Sequence, residues 1–203
     1  MRMVKLIYSP GACSISPHVA LREAKLPFEL LRLDFKNRKL SDGRDYLSLN
    51  PKGYVPALEL DDGRVITEGV AIVQYIADQA PASQLAPPNG TFERVRLQEW
   101  LNFISTELHK GTSPLFSSSL PDDYRKTIHD RLAGRLAFVA KSLGDKPYLM
   151  GDGFTVADGY MLYVLRVWNR FYPNELPAPL SAYLARLNER PSVKAALAAE
   201  GIA

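Results

Sequence analysis

The chain has a single cysteine, Cys13, among 203 residues, and only three histidines. One cysteine excludes an intrachain disulfide and points to a reducing compartment, the cytoplasm. No metal-ligand cluster, Walker loop or nucleotide fingerprint is present, so neither metals nor nucleotides are expected. No apolar run approaches the length of a membrane span. The N-terminal apolar stretch is broken by Lys5 and leads into a turn, which argues against a secretory h-region. Net charge is only +3, and the 25 basic residues never gather into a long tract, which disfavours nucleic acid as a partner. Repeats and low-complexity segments are absent too. The residues present are 46% hydrophobic and 23% charged, the make-up of an ordinary globule able to bury a core.

Two halves of different character follow one another. In the first, Met3 to Ser9 reads as a buried strand and Ser14 to Ala24 as a helix. Phe28 to Asp34 is an alternating strand, and the polar stretch from Lys36 to Asp45 reads as a loop. A short helix is expected around Tyr46 to Leu49. Strands at Val55 to Leu60 and Arg64 to Thr67 flank Asp61-Asp62-Gly63, a hairpin signal, and Glu68 to Gln79 is helical. This β-α-β-α-β-β-α order implies a small mixed sheet with helices packed against it. The proline-rich stretch 81–91 is a connector, after which strand signals stop. Leu97, Trp100, Leu101, Ile104 and Leu108 repeat at helical spacing, as do Ile128, Leu132, Leu136, Val139 and Leu143. Further helices are marked by Tyr160 to Phe171, Leu180 to Leu187 and Val193 to Leu197. The expected organisation is an α/β domain over 1–80, a linker over 81–91 and an all-helical domain over 92–203.

Cys13 falls where the first strand gives way to the first helix. Unpaired N–H groups and the positive end of a helix dipole favour its thiolate, the nucleophilic form. Lowering the thiol pKa by two units requires roughly 2.7 kcal/mol of preference for the anion. A helix terminus supplies only ~0.3–1 kcal/mol, so further donors or a cation must help; Ser14, Ser16 and Tyr8 lie close by in sequence. The alternative is a small buried core residue. In Gly53-Tyr54-Val55-Pro56, the proline opens a strand and leaves Val55 at an edge, its N–H and C=O available to an extended partner. A cis Val55–Pro56 bond is expected there. Thr155-Val156-Ala157-Asp158 reads as a capping box with a structural role. Gly159 gives no hydrophobic staple, which suggests a loose start to that helix.

Together these pieces resemble the glutathione S-transferases, most closely the bacterial beta class. The resemblance rests on Tyr8-Ser-Pro-Gly-Ala-Cys-Ser14 with His18, Asn50-Pro-Lys-Gly-Tyr-Val-Pro-Ala57, and Leu60-Asp-Asp-Gly63. It continues through Thr67-Glu-Gly-Val-Ala-Ile72, Gln74-Tyr75, Glu99-Trp-Leu-Asn102 and Thr106-Glu-Leu-His-Lys-Gly111. It ends with Phe154-Thr-Val-Ala-Asp158 and Glu189-Arg-Pro-Ser-Val193. The motifs run from end to end in family order.

That likeness implies a thioredoxin-like N-terminal domain, a helical C-terminal domain that shapes the electrophile site, and a homodimer. Glutathione would be a co-substrate, with no permanently bound cofactor. Carried over, Cys13 matches the class-marking cysteine that faces the glutathione sulfur, and His109 shares the catalytic assignment. Val55 would pair with the cysteinyl backbone of glutathione, and Glu68 and Gly69 would take the γ-glutamyl end. Lys110, with His109, matches a position that lines the site from the first helix of the second domain, and Ala12 is a further glutathione-binding position. Asn102, Thr106 and Glu107 match positions on the first helix of the second domain, some reaching the partner subunit. Where the class commonly places a lysine for the glycine carboxylate, this chain has Arg38, with Lys36 and Lys39 nearby.

The implied activity is conjugation of the glutathione thiolate to hydrophobic electrophiles, with disulfide or peroxide chemistry through Cys13. Tyr8, Ser14, Cys13, His109 and backbone N–H groups are the candidate thiolate-stabilising donors. Phe116, Tyr163, Arg166 and Trp168 are candidate walls of the electrophile site. One alternative is a glutathione-dependent dehalogenase or isomerase on the same scaffold. A non-catalytic ligand-binding module is another, and it predicts poor retention on immobilised glutathione. A monothiol glutaredoxin-like protein is disfavoured, because it leaves the helical half without a purpose.

Overall fold

The computed structural model describes residues 3–202. Strand β1 (Val4–Tyr8) leads through a turn into helix α1 (Ile15–Glu23), and β2 (Phe28–Asp34) then pairs parallel to β1. Beyond β2, the segment expected to be a loop holds a short strand, β3 (Lys39–Leu40), paired antiparallel as Leu33 with Leu40 and Asp34 with Lys39. The reversal is made by Asp34, whose carboxylate takes the N–H groups of Lys36 and Asn37, and by Arg38 at φ 55°. Helix α2 (Tyr46–Leu49) follows, then β4 (Ala57–Glu59), β5 (Val65–Thr67) and α3 (Gly69–Gln79). The β4–β5 hairpin closes over Asp61-Asp62-Gly63, with Gly63 at φ 84°, a turn conformation glycine adopts without steric cost. Strand order is β3-β2-β1-β4-β5.

Alternation along β1 sends Leu6 into one apolar cluster and Ile7 into another, so both faces of the sheet are covered. On the Leu6 side lie α1 and α3. The Ile7 side carries Leu31, Leu33, Leu40, Val55 and the buried ring of Tyr46 from α2.

The chain then runs through α4 (Phe92–Phe103), α5 (Lys110–Thr112), α6 (Asp122–Leu143), α7 (Val156–Phe171), α8 (Ala178–Glu189) and α9 (Pro191–Glu200). Helix α7 is buried over nearly its whole length and forms the centre of this half. Its start is tight, contrary to the expectation drawn from Gly159. The Asp158 carboxylate accepts the N–H and hydroxyl of Thr155 at 2.8 and 2.9 Å, the Leu149 N–H at 2.9 Å, and the Tyr183 hydroxyl. Four donors hold that helix end where a staple is missing, and Gly159 itself is buried near the Ser16 carbonyl of α1.

The two halves are locked by charge as well as packing. Arg190 makes a two-pronged pair with Glu23, at 2.8 and 2.9 Å, while lying 4.2 Å over the Phe154 ring. Glu200, buried at the end of α9, accepts the Gly11 N–H at 3.0 Å and bonds His18 Nδ1 at 2.8 Å. Arg22 donates to the other ring nitrogen of His18 at 3.0 Å, so Nδ1 carries the hydrogen given to Glu200.

Candidate active site

Cys13 lies in the β1–α1 turn, two residues ahead of the helix. The turn is held by the Ser14 hydroxyl, which accepts the Ser9 N–H and donates to the Ser9 carbonyl, both at 3.2 Å. Ser14 is therefore occupied and buried. Tyr8 is buried as well and lies outside the residues around the thiol. Neither serves as the donor that sequence position suggested.

Facing this turn is the Val55–Pro56 bond, which is cis. The loop before it is braced from below: the Tyr46 hydroxyl donates to the Tyr54 carbonyl at 2.7 Å. Asn50 Nδ2 donates to the same carbonyl at 3.0 Å and to the Tyr46 oxygen at 2.9 Å. The Cys13 thiol donates to the Val55 carbonyl at 3.3 Å.

Glu68 precedes α3 with φ 69°, a left-handed conformation costly for a residue with a Cβ. Its reward is placement beside the first turn of α3, whose N–H groups lack intrahelical partners. Lys52 Nζ bonds the Glu68 carboxylate at 2.5 Å and the Tyr54 hydroxyl donates to it at 3.0 Å. These donors, Lys52 foremost, hold the Glu68 carboxyl below the usual carboxylate range.

From the helical half, residues Ile104–His109 form a π-helical turn, where the periodicity alone suggested uninterrupted α-helix. An i→i+5 turn breaks the α-helical register. Here Leu108 stays in the core, while Ser105 and His109 both line the cavity beside Cys13. His109 Nδ1 meets the Tyr160 hydroxyl at 2.6 Å, and its ring packs edge-on against Tyr163 at 4.8 Å. Burial, with Lys110 next in line, pushes the His109 imidazole down to about 4. At neutral pH it is an uncharged ring.

These elements enclose a cavity of about 110 Å³ lined by Cys13, Ser16, Val55, Glu68, Gly69 and His109 among others. Lys110 and Tyr160 stand at the same wall. Burial pushes the Cys13 thiol up to about 11, against the pull of the backbone N–H groups and Lys110; Glu68 adds to the rise. The expected thiolate is thus not the resting form: loss of water outweighs a helix end reached only two residues later. Cys13 is a thiol that donates to the Val55 carbonyl.

Six residues singled out from sequence therefore meet at one cavity: Cys13, Val55, Glu68, Gly69, His109 and Lys110. Ala12 packs behind it against the Ile7 cluster. Arg38 is exposed and donates to the Gly53 carbonyl at 2.6 Å, beside the cavity's rim but not in its wall. Asn102 and Thr106 are exposed, away from the cavity, and Glu107 pairs with Arg135 at 2.9 Å. Sequence reasoning missed Lys52, Ser105 and Tyr160. Of these only Lys52 carried a signal, inside the Asn50-Pro-Lys-Gly turn. Ser16, one of the nearby groups that sequence position offered to Cys13, has its hydroxyl buried at the cavity without a hydrogen-bond partner. Among the described residues no group of three or more His, Cys, Asp or Glu side chains could hold a metal ion.

Residues 11–79 match the family model for the glutathione S-transferase N-terminal domain, and residues 103–191 match that for its C-terminal domain. The chain belongs to the glutathione S-transferase family. Glutathione S-transferase GstA of Escherichia coli O157:H7 is 45% identical over 201 residues, spanning 98% of this chain and 100% of that protein. BphK, a bacterial glutathione S-transferase solved as a ternary complex, has a TM-score of 0.92 and 53% identity, over 97% of this chain and 99% of its own. A bacterial beta class transferase of Sphingomonas chungbukensis matches with a TM-score of 0.90 and 42% identity, over 98% of this chain and 100% of its own. The transferase thus has a thioredoxin-like mixed sheet followed by a helical domain, with its similarity to the beta class running through both. No helix among the described residues is long and apolar enough to cross a membrane.

Proposed function

We propose that this transferase conjugates the glutathione thiolate to hydrophobic electrophiles and, through Cys13, exchanges thiols with glutathione disulfides. One observation carries the reading: a single cavity unites an edge backbone at Val55, a carboxylate with helix-start N–H groups at Glu68 and Gly69, and a thiol between them. The γ-glutamyl end of glutathione bears an ammonium and a carboxylate, which suit Glu68 and the Gly69 end of α3. Its cysteinyl backbone would pair with Val55 and displace the Cys13 thiol from the Val55 carbonyl. Arg38, with Lys36 and Lys39 near it, would meet the glycine carboxylate at the rim.

In conjugation, the glutathione sulfur loses its proton to solvent and attacks an activated ring carbon bearing chloride. The carbon–sulfur bond forms, the electron pair passes onto the nitro oxygens, and it returns as chloride leaves with the bonding pair. Positioning converts this encounter into a local attack. The donors to sulfur are Ser16, whose hydroxyl is otherwise unpartnered, and His109, whose Nε2 carries the hydrogen when Tyr160 donates to Nδ1. In exchange, Cys13 gives its proton to solvent and the resulting thiolate attacks a disulfide joining glutathione to another thiol. A Cys13–glutathione bond forms, the other sulfur leaves and takes a proton, and a second glutathione thiolate then releases Cys13 as oxidised glutathione forms.

The active form would be a homodimer in the cytoplasm, divided into the domains 1–80 and 92–203 joined by 81–91; residues 1, 2 and 203 lie outside those described. Phe92, Val95 and Phe138 are 66%, 50% and 53% exposed on α4 and α6, an apolar face suited to a second copy. Asn102 and Thr106, exposed on the same stretch, are placed to reach the partner's glutathione. The test pairs 1-chloro-2,4-dinitrobenzene turnover with reduction of a glutathione mixed disulfide. Activity on both supports the reading, and failure to bind glutathione refutes it.

A further inference from the structure

A second cavity, of about 400 Å³, adjoins the first. Its boundary with the sulfur-side cavity is made by neighbouring residues: Ile15 lines one and Ser16 the other, while Tyr163 lines the larger and touches His109 of the smaller. One face of α7 runs past both. Tyr160 stands by Cys13, and Tyr163, Arg166, Val167 and Arg170 continue along that face at helical spacing. At 1.5 Å per residue, Arg166 lies about 9 Å along the helix axis from Tyr160. An aromatic ring with a carboxylate on its far side spans that kind of distance.

The walls are aromatic and the far end is cationic. Phe116 and Tyr163 offer ring faces, and Asn169 and Asn188 add amides. Among the described residues no acidic side chain lines this cavity. Arg166 is half-buried and forms no ion pair among the described residues. Its guanidinium has only two long contacts, at 3.3 Å each, to the Asn188 side chain and the Ile202 carbonyl. The carboxylate of Glu200 acts on it electrostatically, but both of that group's oxygens are committed to Gly11 and His18. Arg170, exposed over Phe116 and Phe171, also has no acidic partner among the described residues. A partly desolvated guanidinium that faces a cavity and has no counter-ion among the described residues is suited to an anionic group.

We infer that the acceptor of this transferase is an aromatic or conjugated acid, held with its carboxylate on Arg166 and Arg170 and its electrophilic carbon toward Cys13. Resting on the proposed glutathione chemistry, this names the substrate class of the same site. The bond-forming step is the substitution described above, with the carboxylate taking no part in it. Trp168, a wall candidate from sequence, is buried in the core and contributes nothing here.

The test compares two acceptors that differ by one carboxylate, 1-chloro-2,4-dinitrobenzene and 4-chloro-3,5-dinitrobenzoate, in the full-length protein and in Arg166→Met and Arg170→Met. The ratio of kcat/KM for the benzoate to that for the neutral acceptor is expected to fall tenfold or more in Arg166→Met and about threefold in Arg170→Met. In the unmodified protein, the benzoate KM should rise with salt and the neutral acceptor's KM should not. Ratios within twofold of the unmodified protein in both variants, or no salt effect, overturn the inference. Should Arg166→Met fail to fold, Arg170→Met and the salt series decide alone. Should neither acceptor react, calorimetry with 4-nitrobenzoate separates the two ideas. Binding that Arg170→Met weakens keeps the anion site while the glutathione chemistry falls, and absent binding removes the anion site too.

Discussion

The two halves of this transferase approach the shared cavity with different chemistry. The α/β half offers mostly backbone: the Val55 edge, the first turn of α3 and the turn around Cys13, all fixed by prolines, glycines and buried brackets such as Tyr46 with Asn50. The helical half offers side chains: His109, Tyr160, Tyr163 and Arg166, projected from α7 and the π-helical turn. A backbone site recognises what every co-substrate molecule shares, and it tolerates side-chain drift. A side-chain site sets which acceptor fits, and a single substitution can change it. Helix α9 joins the two, because Glu200 anchors the Gly11 turn from the far end of the chain.

That contrast is broken most severely at the nucleophilic side chain the α/β half contributes to chemistry. Cys13→Ala is expected to reduce mixed-disulfide reductase activity to under one hundredth while conjugation of chlorodinitrobenzene stays within tenfold. Full retention of the reductase activity refutes Cys13 as its nucleophile. Next comes the link between halves. Glu200→Ala leaves the buried His18, and the Gly11 N–H, without their acceptor, and urea unfolding should show a loss of about 3–5 kcal/mol.

His109 sharpens the comparison through pH. Its imidazole is held near 4 when folded and returns to an ordinary value when unfolded, so the unfolded chain binds the extra proton between those values. Stability is therefore lost as pH falls from about 6.5 to 4, by about 2–3 kcal/mol over that window for this group. Denaturation curves of His109→Phe should show that much less acid dependence than the unmodified protein. The smallest effect is at Ser16. Ser16→Ala should lower kcat for conjugation about tenfold, the order of one hydrogen bond to a charged sulfur, with the glutathione KM within twofold. An unchanged kcat would leave His109 as the sulfur's donor.

Much of the α/β half was legible because its signals are local. Pro56 after an edge residue and Asp61-Asp62-Gly63 between alternating strands each dictate their geometry over a few bonds, as does Thr155 three residues before Asp158 in the helical half. What stayed hidden depends on distant partners. Strand β3 has two residues and exists only because Leu33 and Asp34 lie alongside. The π-helical turn leaves the apolar spacing of Leu101, Ile104 and Leu108 almost unchanged, so periodicity cannot reveal it. The positive φ of Glu68 follows from no residue type. Cys13 shows the limit most clearly: a helix end argues for a thiolate, but burial by Val55, Tyr160 and their neighbours argues more strongly for a thiol. Six of the candidate residues share the cavity; Asn102 and Thr106 face outward on their helix and Glu107 pairs with Arg135, so these three lie outside it.

The account stands on glutathione lying with its γ-glutamyl end at Glu68. Calorimetric titration of glutathione against cysteinylglycine, which lacks that end, in the unmodified protein and in Glu68→Gln tests this most directly. Glutathione should bind about a hundredfold more tightly than the dipeptide to the unmodified protein, and only a fewfold more tightly to the variant. If Glu68→Gln preserves the whole preference, the γ-glutamyl end lies elsewhere and the assignment of this cavity is wrong.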